Sequence, residues 1–221
     1  MSHLVLVGDG ILANRAHTGA QPDSATVLRE LLVGWKVSLL AAEGATIPLA
    51  ATQLQRVPSD ANVLVLSAGG NDAMEHVELL QTPARSSGEV LDALVQMART
   101  FGAQYRALAE AARSRVPRAV LCTIYEPPLL GKETASRATV LLSLLNDQIM
   151  RAAYGLGLDA IDLRAVCSSP GDFTLQIEPS GTGAAKIARA IASAVTSRES
   201  RGVTGIGAPK SRMPPPPASR S

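Results

Sequence analysis

Aromatic residues are nearly missing from this 221-residue chain: one Trp, three Tyr and two Phe. Its interior must therefore be filled by Ala, Val, Leu and Ile. Cysteine is as scarce. Cys122 and Cys167 form no CxxC pair, which excludes a disulfide framework and argues against a structural zinc site. No apolar run reaches membrane-spanning length, and the run Leu4–Val7 is too short, and lacks a preceding basic residue, to read as a signal peptide. The expected setting is cytoplasmic, with no membrane partner. A strongly basic face is also missing. The net charge of +2 comes from the segment 198–221, where Arg198, Arg201, Lys210, Arg212 and Arg220 face only Glu199, so that residues 1–197 carry −2. That balance speaks against nucleic-acid binding by the folded part. GxxxxGK[ST] is absent, and Gly8-Asp9-Gly10 lacks the third glycine of a dinucleotide fingerprint.

What is present is an alternation. Short apolar runs (Leu4–Val7, Lys36–Ala41, Asn62–Leu66, Arg118–Ile124, Leu158–Leu163) alternate with helical patterns (Pro22–Leu32, a short one after Pro48, about Gly88–Arg115, Thr134–Ala153, Gly181–Ser197). Ser180 reads as the N-cap of the last helix. Strict alternation predicts a three-layer α/β/α, flavodoxin-like domain with about five parallel strands, apolar because helices cover both faces. The domain is expected over 1–197, and the Pro-, Gly-, Ser- and Arg-rich segment 198–221 is expected to be a disordered basic tail.

Ligands of such sheets sit beyond the carboxyl ends of the strands. The residues there are Gly8-Asp9-Gly10, Glu43-Gly44-Ala45, Ala68-Gly69-Gly70-Asn71-Asp72, Tyr125-Glu126 and the loop entering the last helix. "VGDG", a Gly after the second strand, "GGND" after the third and "EPSGTGAAKIARAI" into the last helix resemble, in that order, the four blocks of the SGNH (GDSL-type) hydrolases. "CTIYEP" and "IEPS" resemble a bacterial subgroup of that superfamily. The resemblance spans roughly residues 4–195. It implies ester hydrolysis through an oxyanion hole, no cofactor and no metal, and a small acyl or glycan ester as substrate or ligand.

Carried over by position, the nucleophile falls on Gly10, the two further oxyanion contributors on Gly44 and Asn71, the His base on Glu178 and its Asp partner on Leu175. Gly10 supplies no oxygen, so the implied esterase is impaired or inactive, and the alternative is a non-catalytic binding module. Plainer readings stand beside these. Gly10 also suits a turn; Asp9 braces its own loop; Asn71 and Asp72 suit a turn or helix cap; Glu178 reads equally as a base or as an anion at a helix N-terminus. Asp172 reads as a loop residue and Cys122 as core, and Cys167 follows the fifth strand. His3, His17 and His76 read as loop residues, of which His17 or His76 could fold over the site.

Overall fold

The computed structural model describes residues 1–129 and 131–197. The tail expected over 198–221 lies outside the described residues. Five strands form one parallel sheet in the order β2-β1-β3-β4-β5: β1 His3–Gly8, β2 Lys36–Leu39, β3 Val63–Ser67, β4 Arg118–Cys122 and β5 Asp159–Ile161. This is the expected flavodoxin-like order. Helices α1 (Ser24–Leu31), α2 (Ile47–Leu54), α4 (Ser87–Arg115), α5 (Lys132–Leu156) and α7 (Gly181–Thr196) follow the predicted pattern. The first begins at Ser24 rather than Pro22, because the Asp23 carboxylate accepts from the Thr26 N–H at 2.7 Å and sets the start. Ser180 caps α7 as expected, accepting from the Gly183 N–H.

Alternate strand residues feed two cores. Val5, Val7, Leu64, Leu66 and Leu121 pack under α2, α4 and α5 with Phe101, Tyr105, Leu145 and Ile149. Leu4, Leu6, Val63, Val65 and Val120 pack against α1 and α7 through Leu28, Ile187 and Ile191. Both faces are covered, which explains why the strands are uniformly apolar. Cys122 is core, as expected, and Cys167 is buried in the α7-side core as well.

Smaller elements complete the carboxyl end of the sheet. They are the short helices α3 (Gly70–Met74) and α6 (Leu163–Val166), 3₁₀ turns at Arg15–His17, Val77–Leu80 and Pro170–Asp172, and a hairpin of β6 (Phe173–Thr174) and β7 (Glu178–Pro179). The expected fifth strand ends two residues early because Asp162 caps α6. His3 is not a loop residue. It is a buried residue of β1, its ring set between Ser38 Oγ and Asp60 Oδ1 at 2.9 Å each. This Ser–His–Asp chain lies at the amino end of the strand, away from the ligand-binding end, and ties β1 to β2 and to the loop before β3.

Candidate active site

The loops at the carboxyl ends enclose a cavity of about 550 Å³. Gly10, Gly44, Asn71 and Glu178, the four positions singled out in sequence, all line it, together with Asp9, His17 and Glu43. Each arrives by a different local device. β1 ends at Gly8 because its φ is +130° and a Cβ there would collide with the Ser67 carbonyl oxygen of β3. The Gly8 N–H donates to Gln53 Oε1 (2.7 Å) and its carbonyl accepts from Gln53 Nε2 (2.9 Å), so one buried amide from α2 fixes the turn. Gly10 has no such constraint. A Cβ there would sit 3.6 Å from Glu178 Oε2 and 3.9 Å from Glu43 Cγ, ordinary contacts.

Asp9 braces its loop as expected. Oδ1 accepts from the Ile11 N–H (3.2 Å) and the Ser67 hydroxyl (3.3 Å), while Oδ2 is buried beside Gly70 without a well-formed hydrogen bond among the described residues. Burial raises its pKa to about 7; the nearby Ile11 and Gly70 N–H groups and the Ser67 hydroxyl offset this only in part, and Asp72 adds to it.

Asn71 is the second residue of α3, not a cap; the cap position is Gly69, in left-handed backbone. The Asn71 amide donates to the Ala45 carbonyl at 3.0 Å, which ties it to the loop carrying Gly44. Asp72 does cap a helix, though not its own. Both its oxygens accept from the Ile47 N–H that opens α2, at 3.1 Å. Glu178 rides on the β6–β7 hairpin. The Tyr125 hydroxyl donates to the Ile177 carbonyl (2.7 Å), and the Tyr125 ring meets Phe173 edge-on at 5.1 Å, so the residues after β4 hold the hairpin in place. Leu175, at the implied Asp position, occupies the hairpin turn with φ +48° and is 73% exposed. Asp172 is buried against Lys186 (2.7 Å) and caps its 3₁₀ turn, so it is not a partner of Glu178.

His17 is the residue that sequence reasoning left undecided. Its Nε2 stands 2.5 Å from Glu43 Oε1 and 3.6 Å from Glu178 Oε2, with the side chain 17% exposed. The Asn14 amide fixes its loop, donating to the Ile11 carbonyl (2.8 Å) and Ser24 Oγ (2.7 Å). The remaining lining is apolar and includes Ile11, Met74, Ile124, Leu141 and Leu142. Among the described residues no three His, Cys, Asp or Glu side chains are grouped to hold a metal. A second cavity of about 630 Å³ lies around Arg118, but that guanidinium is engaged by Asp159 and by the carbonyls of Ala194, Val195 and Ser197 at the end of α7.

A five-stranded parallel sheet with glycine-rich loops, Asn71 and Glu178 converging over its carboxyl end defines an α/β/α hydrolase-type fold. The chain matches the model of the GDSL-like lipase/acylhydrolase family over residues 6–186, and it belongs to that family. Solved structures agree in fold. An extracellular lipase from Streptomyces rimosus superposes with a TM-score of 0.70 at 16% identity, covering 88% of this chain and 100% of its own. For a phospholipase A1 from Streptomyces albidoflavus the values are 0.67, 14%, 87% and 98%. For an acetylxylan esterase from Geobacillus stearothermophilus they are 0.63, 15%, 89% and 95%. No curated protein matches the chain. Among the described residues no helix is long and apolar enough to cross a membrane.

Proposed function

We propose that the cavity binds an acyl ester and that the covalent, serine-dependent route of hydrolysis is closed. The ester carbonyl sits among the Gly10 and Gly44 N–H groups and the Asn71 amide, and the acyl group lies along Ile11, Met74, Ile124, Leu141 and Leu142. The observation that carries this reading is the pairing of Gly10 with Glu178. The position facing the carboxylate has room for a hydroxymethyl group and carries none. Without that oxygen no acyl-enzyme forms, whatever the base.

The solved relatives include lipases and an acetylxylan esterase, which favour an acyl or a glycan ester as the ligand class. The alternative, a binding module for a free acyl or sugar ligand, shares the pocket; the apolar lining favours the acyl form. The test compares the chain with Gly10→Ser on short p-nitrophenyl esters. A burst of nitrophenol followed by slower turnover is expected only in the variant. Binding by the unaltered chain is read as thermal stabilisation by alkyl amides of the same acyl groups, about 2.7 kcal/mol at one hundred times Kd. Stabilisation by no member of an acyl and glycan panel would refute the binding role.

A further inference from the structure

We propose that a water molecule seated between Gly10 and Glu178 attacks the bound ester directly, with Glu178 as its base and His17 as the residue positioning that base. The inference rests on the ester-binding reading above and goes beyond it by supplying a nucleophile.

Three observations converge. First, the seat has the right size. An ideal Cβ on Gly10 clears Glu178 Oε2 by 3.6 Å and Glu43 by 3.9 Å, so the side-chain space of a serine is open to a water within hydrogen-bonding reach of Oε2. Second, Glu178 is held there by something other than its own contacts: the Tyr125–Ile177 hydrogen bond and the Tyr125–Phe173 ring pair anchor the hairpin that carries it. Third, His17 lies against two carboxylates that both wall this seat, with Nε2 at 2.5 Å from Glu43 Oε1 and 3.6 Å from Glu178 Oε2. The imidazole stands between the two carboxylates, and its bulk keeps Glu178 turned toward Gly10.

The step balances without a co-reactant. The water oxygen bonds to the ester carbonyl carbon as one water proton passes to Glu178, and the carbonyl electron pair moves onto its oxygen, beside Gly10, Gly44 and Asn71. Collapse re-forms the carbonyl and breaks the bond to the leaving alkoxide. The alkoxide takes the proton back from Glu178, leaving carboxylic acid and alcohol. Asp9, also in the cavity, lies under the loop and is already bonded to Ile11 and Ser67, and Glu43 turns its Cγ and Cα toward the seat while its Oε1 lies against His17, which leaves Glu178 as the carboxylate whose oxygen faces the seat.

The test measures hydrolysis of p-nitrophenyl acetate and butyrate by the full chain and by Glu178→Gln, Gly10→Ala, His17→Ala and His17→Gln. The unaltered chain is expected to release nitrophenol linearly, without a burst, and with a normal solvent deuterium isotope effect. Glu178→Gln removes the base and Gly10→Ala fills the seat with a methyl group. Each lowers kcat by at least about 100-fold, while alkyl-amide stabilisation persists. Gly10→Ala also serves as the folding control, since its Cβ meets no close contact. His17→Ala lowers kcat with KM unchanged, and His17→Gln, which keeps a polar side chain between the two carboxylates, restores part of it; a merely structural role predicts neither the split nor the rescue. Undiminished turnover in Glu178→Gln or Gly10→Ala overturns the proposal. So does absence of turnover in the unaltered chain while alkyl amides still stabilise it, an outcome that leaves the binding reading standing. Loss of that stabilisation defeats the binding reading itself.

Discussion

Gly8 and Gly10 flank Asp9 and look alike in the sequence, yet the fold uses them differently. Gly8 is locked: its positive φ and the Ser67 carbonyl behind it leave no room for a Cβ. Gly8→Ala is expected to cost more than about 4 kcal/mol, combining backbone strain with a clash against a strand carbonyl that cannot shift. Gly10→Ser has neither penalty and is expected to change stability by no more than about 1 kcal/mol. Urea unfolding of the two variants checks both figures; similar losses would show that residue 10 is constrained in a way its surroundings do not indicate. The turn was legible in the spacing of the two glycines. Which glycine is compulsory was not, because the answer lies in Ser67 on a neighbouring strand. His17 was indistinct for the same reason: what gives it meaning is Glu43 and Glu178, brought to it from two other loops.

Among the secondary elements, those whose signal is periodic were readable, and the short ones were not. The five strands and five long helices announce themselves through runs and repeats of apolar residues. α3, α6 and the β6–β7 hairpin span four to seven residues each and are held by tertiary partners: Asp72 against α2, the Thr123 hydroxyl accepting from the Leu163 N–H that opens α6, and Tyr125 on the hairpin. Two buried amides do similar work at the strand ends. Gln53 holds both backbone groups of Gly8, and Asn146 of α5 accepts from the Ile124 N–H (2.7 Å) and donates to the Ile124 carbonyl (2.8 Å). In sequence each is one polar residue in a helix, with nothing to mark its partner. Asn146→Ala leaves a buried donor and a buried acceptor unmatched, at about 1–3 kcal/mol each, so a loss of roughly 2–6 kcal/mol is expected in chemical denaturation. Asn146→Asp restores the acceptor but not the donor and is expected to recover little. A loss under about 1 kcal/mol for Asn146→Ala would mean that water replaces the clamp.

For the molecule as a whole, the buried Asp9 makes stability depend on pH in an unusual direction. Its carboxyl is raised from 3.8 to about 7 in the folded chain, chiefly by burial. Between those values the folded protein keeps a proton that the unfolded chain releases, so rising pH favours unfolding. The contribution is fully present below about pH 4, declines through the interval, and levels off once Asp9 is ionised in both states. A shift of this size corresponds to about 4 kcal/mol over the window, at about 1.4 kcal/mol per unit. The groups acting on Asp9 come from several elements: Ser67 at the end of β3, Gly70 and Asp72 on α3, and the Ile11 N–H on its own loop. Tyr105, Cys122 and Tyr125 feel its charge in turn, and burial pushes each of them upward, so all stay neutral across the interval. Asp9→Asn removes the titration while keeping an acceptor for the Ile11 N–H. Urea unfolding at pH 5 and pH 8 is therefore expected to show the unaltered chain losing about 2–3 kcal/mol more than Asp9→Asn on going to the higher pH. Equal losses in the two proteins would place the pH dependence elsewhere. The expected result would mean that the loop carrying Gly10 is held most firmly under mildly acidic conditions, where Asp9 is uncharged. Ionisation at alkaline pH would then loosen the wall of the cavity from beneath.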